Sequence, residues 1–265
     1  MRDVSWWLGE SAIRIGSLWV PARQAEAVLA NYTKQLFCLT GHEQFPYAFR
    51  GSATALRFFD RCFLLWCRHQ TKEYAPNDVT IPIEGGKIVA SGSRFVFVDE
   101  AKGDWDEDYA DLCATEFVIE NYGSPNLEAA FFPLLEDDAW KGSADAQFYL
   151  FGYPTELRSV DYELPHVHMR QIVTSAEYNR RSNSQYLHSL KITGKKSFAQ
   201  DGLSGGPVYH VARGKDGYHI GLAGIMMRGG NHHIHFIDVR FVFSLLKYAE
   251  QSASSGMPER APDIA

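Results

Sequence analysis

Apolar residues in this chain fall in short runs bounded by Gly, Pro, Asn and Asp, a punctuation that predicts β-strands for most of its length. Residues 49–58 read as a strand opening near Gly51, Asp60-Arg61 as a turn, and the strongly apolar residues 62–67 as its partner. Together they predict a hairpin with His69 just past its end. Further strands are predicted over residues 79–83, 87–90, 94–98, 111–118, 166–172, 208–211, 221–227 and 233–237. Helical spacing occurs in two places. In residues 22–34, Pro21 precedes good helix formers and Ala25, Val28, Leu29 and Tyr32 share a face; residues 239–248 form a closing amphipathic segment. Beyond Gln251 the Ser, Gly, Pro and charged residues predict a frayed tail.

One stretch breaks this texture: Asp201-Gly202-Leu203-Ser204-Gly205-Gly206-Pro207-Val208. A serine between glycines, just ahead of a strand, is how a hydroxyl nucleophile is displayed. Gly202 can take a backbone conformation that aims the amides of Gly202 and Ser204 at one point. Gly205 and Gly206 leave room for a substrate backbone to approach. A Ser-Gly-Gly turn alone is a common link between strands, so the chemistry needs a base and an orienting acid as well. His69, at a strand end, is the candidate base. Asp111 leads straight into the small and apolar strand Leu112-Cys113-Ala114, where a carboxylate about to be buried must find a partner.

Gly-x-Ser-Gly-Gly-Pro at residues 202–207 resembles the nucleophile loop of the trypsin/chymotrypsin-like serine peptidases. The hairpin over residues 49–67 resembles the one that delivers the histidine in bacterial members of that family, and residues 146–154, ending in Gly-Tyr-Pro, resemble a second-barrel strand. Asp111 fits the strand start that holds the family's acid, and the chain order His69, Asp111, Ser204 is this family's, not that of subtilisin or the α/β-hydrolases. The resemblance covers residues 48–245. It implies an all-β fold of two six-stranded antiparallel β-barrels with an N-terminal helical extension and a C-terminal helix. The expected divisions are an extension (1–45), a first barrel with the His and Asp (46–135), a second barrel with the Ser and the C-terminal helix (136–251), and a tail (252–265).

The implied activity is serine endopeptidase cleavage of a protein or peptide substrate through an acyl-enzyme. Ser204 is the nucleophile, His69 the base and Asp111 the orienting acid, with the amides of Gly202 and Ser204 as oxyanion hole and no cofactor or metal. Carried over by position, the specificity pocket is floored by Phe198 and Ala199 and walled by Gly224, Ile225 and Met226. Phe198 replaces the acid that selects Lys or Arg in trypsin, so an apolar or small side chain is expected before the cut. Two departures matter. Arg68 stands where the family has a small residue. Leu203 stands where the digestive enzymes have an aspartate that pairs with a freed N-terminus, which excludes that activation route and leaves control to a regulatory protein partner, the extension, or a loop that forms the oxyanion hole on demand. The alternative reading is a catalytically inactive trypsin-like module that binds peptides or acts as a scaffold.

Composition narrows the partners. A chain of 265 residues with 45% hydrophobic and 22% charged residues can bury a sizeable core. Its net charge of −6 argues against nucleic acid or an anionic membrane as partner, and no run is long enough to span a bilayer. The first residues do not read as a signal peptide, and Cys38, Cys62, Cys67 and Cys113 are expected as reduced, buried thiols, which points to the cytoplasm. Asp104, Asp106 and Asp108 alternate like the start of a calcium loop. Tyr109 takes the place of its glycine and Thr115 of its last acid, so a solvated acidic loop is expected. His233 and His235 share a strand face beside His232 but lack a third ligand; they, like His166 and His168, read as solvent-facing or hydrogen-bonded.

Overall fold

The computed structural model describes residues 12–83, 88–98, 107–123, 127–161, 166–182, 184–193, 198–230 and 232–255. The chain begins with β1 (Ala12–Ile15), β2 (Leu18–Pro21) and a short α1 (Ala25–Ala30). The first sheet follows: β3 (Thr33–Leu39), β4 (Tyr47–Phe58), β5 (Arg61–Cys67), β6 (Val79–Ile83), β7 (Ile88–Ser91), β8 (Arg94–Phe97), α2 (Glu107–Ala110) and β9 (Leu112–Phe117). After the linking β10 (Phe132–Pro133) come β11 (Gln147–Gly152), β12 (Arg158–Asp161), β13 (His166–Met169), β14 (Ile172–Arg181) and β15 (Leu187–Ile192). The chain ends with β16 (Pro207–Gly214), β17 (Gly217–Gly230), β18 (His233–Asp238) and α3 (Val239–Ser255).

Two curled sheets result. In the second, β16-β11-β14-β15-β18-β17 closes on itself through β16–β17 into a six-stranded antiparallel barrel. In the first, the order β7-β6-β3-β4-β5-β9-β8 curls without closing among the described residues, and β10 pairs in parallel with β4. β12 and β13 form a separate small ribbon. No described helix is long and apolar enough to cross a membrane.

The continuous apolar runs have a physical reason. β5 lies between β4 and β9 and is covered on both faces, so every second residue faces a different core. Cys62, Leu64 and Trp66 fill the first barrel, while Phe63, Leu65 and Cys67 face the layer between the barrels. β9 divides the same way, with Cys113 and Phe117 inside and Leu112 and Ala114 outside. α3 seals that middle layer with Val239, Val242, Leu245, Leu246 and Ala249.

The N-terminal region differs from a helical extension. α1 spans only Ala25–Ala30; Ala25, Leu29 and Tyr32 are buried in the middle layer, but from Thr33 the chain is strand. β3 pairs with both β4 and β6 and sends Leu36 and Cys38 into the first-barrel core, so sheet pairing overrides the helical propensity of this stretch. β1 adds in parallel to β17, with Arg14 opposite His219.

Arg14 ties this strand to Asp138 through a guanidinium–carboxylate pair (2.7 Å from Nη1), and the carbonyl of Asp138 faces Nε2 of buried His210 at 2.8 Å. Burial pushes the His210 pKa down to about 4, with His219 adding to the effect. The unfolded imidazole holds its proton up to about pH 6.5, so unfolding takes up a proton between pH 4 and 6.5. Stability is therefore full above that window and lost as pH falls through it. The urea midpoint is expected to drop between pH 7 and pH 4, with His210→Gln removing about 2–3 kcal/mol of that drop. An unchanged pH profile in the variant would refute this.

Candidate active site

The sheet register sets His69 beside Asp111. β5 ends at Cys67, opposite Leu112 of β9, and the chain turns into a single 3-10 turn, Arg68–Thr71, which carries His69 to the edge of a cleft. Asp111 immediately precedes β9. His69 Nδ1 lies 2.6 Å from Asp111 Oδ2, and the His69 amide donates to Oδ1 at 2.8 Å. The Arg68 amide donates to the Asp111 carbonyl at 2.7 Å. The carboxylate thus fixes both ring and main chain, and with Nδ1 as donor, Nε2 is left as acceptor. The large Arg68 side chain is accommodated against Phe97, its guanidinium 5.7 Å from the ring centroid.

The serine loop is held by its own turns and by the first barrel. Gly202 and Gly205 have φ of +87° and +82°, which L side chains rarely adopt. Leu203 N donates to Gln200 O and Gly206 N to Leu203 O, while Gly205 N donates to Met226 O and Met226 N to Gly206 O (both 2.8 Å). Among the described residues, the amides of Gly202 and Ser204 have no protein acceptor, so both remain available to an oxyanion. Leu203 is buried in the second-barrel core. From β4, Ser52 Oγ donates to Gly202 O and Thr54 Oγ1 to Gly205 O, each at 2.7 Å.

Gln70 joins the two halves. Its Oε1 accepts from Cys67 N (2.7 Å), and its Nε2 donates to Ser52 O (3.0 Å) and Ser204 O (2.9 Å). Sequence reasoning passes over this residue. Two signals bear on it: a polar amide directly after the base, and two hydroxyls, Ser52 and Thr54, alternating with Ala53 and Ala55 on a buried stretch of strand.

His69, Asp111, Ser204 and Gly202 all line one cleft of about 1080 Å³. Ser204 Oγ donates to the Met227 carbonyl at 2.8 Å and makes no hydrogen bond to His69. Cys67 Sγ also lies near the His–Asp pair, the three groups' ligand atoms falling within 4.8 Å of one another. Burial pushes that thiol well above its usual pKa and Nδ1 is already engaged by Asp111, so the three are a poor match for a metal ion.

The pocket residues expected by position lie elsewhere. Phe198 is packed in the second-barrel core, and the Ala199 amide bonds to Glu156. Gly224 is pressed against the backbone of Ile237, Ile225 faces the middle layer, and Met226 is bound on both main-chain sides to the serine loop. The cleft wall is instead Met227, Arg228 and Gly229, with Gln200, Asp201 and Gly202 opposite. The offset has a cause: β17 is committed to the serine loop through Met226, and a bulge between Met226 and Arg228 then shifts its register.

Arg228 reaches across the cleft to Asp108 of α2 in a two-point ion pair (Nη1–Oδ1 2.8 Å, Nη2–Oδ2 3.0 Å). Asp108 is therefore buried and paired rather than solvated; Asp104 and Asp106 lie outside the described residues. The side chains of His166 and His168 also lie outside them.

No family model matches the sequence, and no curated protein matches it either. Among solved structures, the crystal structure of the scabies mite inactivated protease paralogue S-I1 superposes with a TM-score of 0.51 at 12% identity, covering 84% of this chain and 96% of that one. At that identity the likeness is one of fold. The chain has the trypsin-like double-barrel fold, with His69, Asp111 and Ser204 on the cleft between its two sheets.

Proposed function

We propose that this chain is a serine endopeptidase acting on protein or peptide substrates. The observation that supports it most is the Asp111 carboxylate holding both ring and main chain of His69 on the cleft that Ser204 shares, beside the amides of Gly202 and Ser204, which have no acceptor among the described residues. Ser204 Oγ attacks the substrate carbonyl while His69 Nε2 takes its proton and then delivers it to the leaving amine. Asp111 keeps the working tautomer and stabilises the protonated ring. The amides of Gly202 and Ser204 hold the oxyanion, each donor supplying about 3–4 kcal/mol. The chemistry needs no cofactor or metal, and four buried cysteines, none in a disulfide, suit a cytoplasmic setting.

Before attack, the hydroxyl must leave the Met227 carbonyl and turn to His69. That resting bond favours an enzyme restrained until substrate or a regulatory partner fills the cleft. It is also the observation that favours the second reading, an inactive peptide-binding module.

Labelling with a serine-directed fluorophosphonate separates the two. Wild type is expected to label, with Ser204→Ala and His69→Ala blank. Absence of wild-type labelling, both purified and in cell lysate where an activator is present, would favour the inactive module.

A further inference from the structure

The cleft wall continues beyond the candidate catalytic groups. Arg228 and Gly229 also line a second groove of about 410 Å³ on the outer face of the second barrel, together with Asn179, Arg180, Ser189, Gly230, His233 and His235. Strand register builds it. Arg180 on β14 stands opposite Ser189 on β15, Ser189 opposite His235 on β18, and His235 opposite Arg228 on β17. Directly opposed residues share a face, so these four side chains form one row across the sheet, and His233, two residues from His235, lies on the same face.

The row concentrates positive charge in a chain whose net charge is −6. Arg180 is exposed, and the Arg228 side chain is 58% exposed despite its pair with Asp108. The Nδ1 atoms of His233 and His235 are buried without a hydrogen-bond partner among the described residues. Burial, then Arg228, His233 and Arg180, hold the His235 pKa below its ordinary value, as expected of a ring crowded by cations. A carboxylate in the groove would pair with the exposed guanidiniums of Arg180 and Arg228.

We propose that this groove extends the substrate site and takes acidic side chains of the protein substrate as it leaves the cleft along β17, their carboxylates pairing with the guanidiniums of Arg228 and Arg180. The proposal rests on the peptidase reading of the adjoining cleft. Crossing from β17 to β14 spans three strand spacings, about 14 Å, which about four residues of extended chain would cover. The groove is thus matched to a short acidic stretch.

The test uses the full chain carrying Ser204→Ala, so that no probe is turned over, and fluorescence anisotropy with fluorescein-labelled hexaglutamate, hexaglutamine and hexaphosphoserine peptides. Hexaglutamate is expected to bind at least about tenfold more tightly than hexaglutamine. Arg180→Ala should weaken hexaglutamate binding about threefold or more and Arg180→Glu should abolish it. Arg213→Ala, at an exposed arginine of β16 outside the groove, should leave it unchanged. Equal binding of hexaglutamate and hexaglutamine, hexaglutamate binding indifferent to Arg180→Glu, or a preference shown only for the phosphoserine peptide would overturn the proposal. Failure of the peptidase reading shows separately, as unlabelled wild type, and leaves the anisotropy result unaffected.

Discussion

Asp111→Asn is expected to slow fluorophosphonate labelling, and peptide hydrolysis, by about four orders of magnitude, the loss that the wrong imidazole tautomer brings to a Ser-His-Asp site. Both carboxylate oxygens are occupied in this chain: Oδ1 accepts from the His69 amide and Oδ2 faces Nδ1. An asparagine keeps the first bond only by turning its oxygen to the main chain. Its NH₂ then faces Nδ1, which must become the acceptor, and the ring proton moves to Nε2, where a base is needed. Labelling rates at pH 8 measure the effect. A fall of less than about tenfold, with thermal stability unchanged, would show that Asp111 does not orient the base.

Gly205→Ala is expected to cost about 3–5 kcal/mol of stability and to abolish labelling. The backbone there sits at φ +82°, costing an alanine about 1–2 kcal/mol. A Cβ would also lie 2.2 Å from the Ser52 carbonyl oxygen and 2.9 Å from Gln70 Oε1. Neither can yield, because one is strand backbone and the other is bonded to Cys67 N. The loop must move off β4, breaking the Thr54 and Gln70 bonds at about 1 kcal/mol each. Gly41→Ala is the control: φ is +70° but nothing lies within 4 Å, so only the backbone cost of about 1 kcal/mol should appear in urea unfolding. Equal losses in the two variants would refute the packing argument.

Strands buried on both faces are easy to see in a sequence, which is why β5, β9 and β17 stand out as apolar runs. Residue type and chain order likewise single out His69, Asp111 and Ser204, and the structure sets all three on one cleft. Hydrogen-bond geometry is not visible in the same way. Which residues of β17 face the cleft depends on its ties to the serine loop and on the bulge before Arg228, so a positional carry-over lands on Gly224, Ile225 and Met226, too early along the strand. The Asp108–Arg228 pair joins α2, just ahead of β9, to β17 of the second sheet, and no local pattern announces it. The region before β4 misleads for a related reason: its alanines and leucine favour helix, yet Thr33 onward is claimed by two neighbouring strands.

The clasp made by Gln70 has a chemical consequence. The base turn, the nucleophile loop and β4 are joined by amide-to-carbonyl bonds, and none of the four buried cysteines is in a disulfide. The connectivity around the cleft therefore includes no sulfur–sulfur bond for a thiol reductant to cleave, and assembling it demands no oxidant. A thiol reductant is therefore expected to leave the hydrogen-bonded frame of the cleft in place.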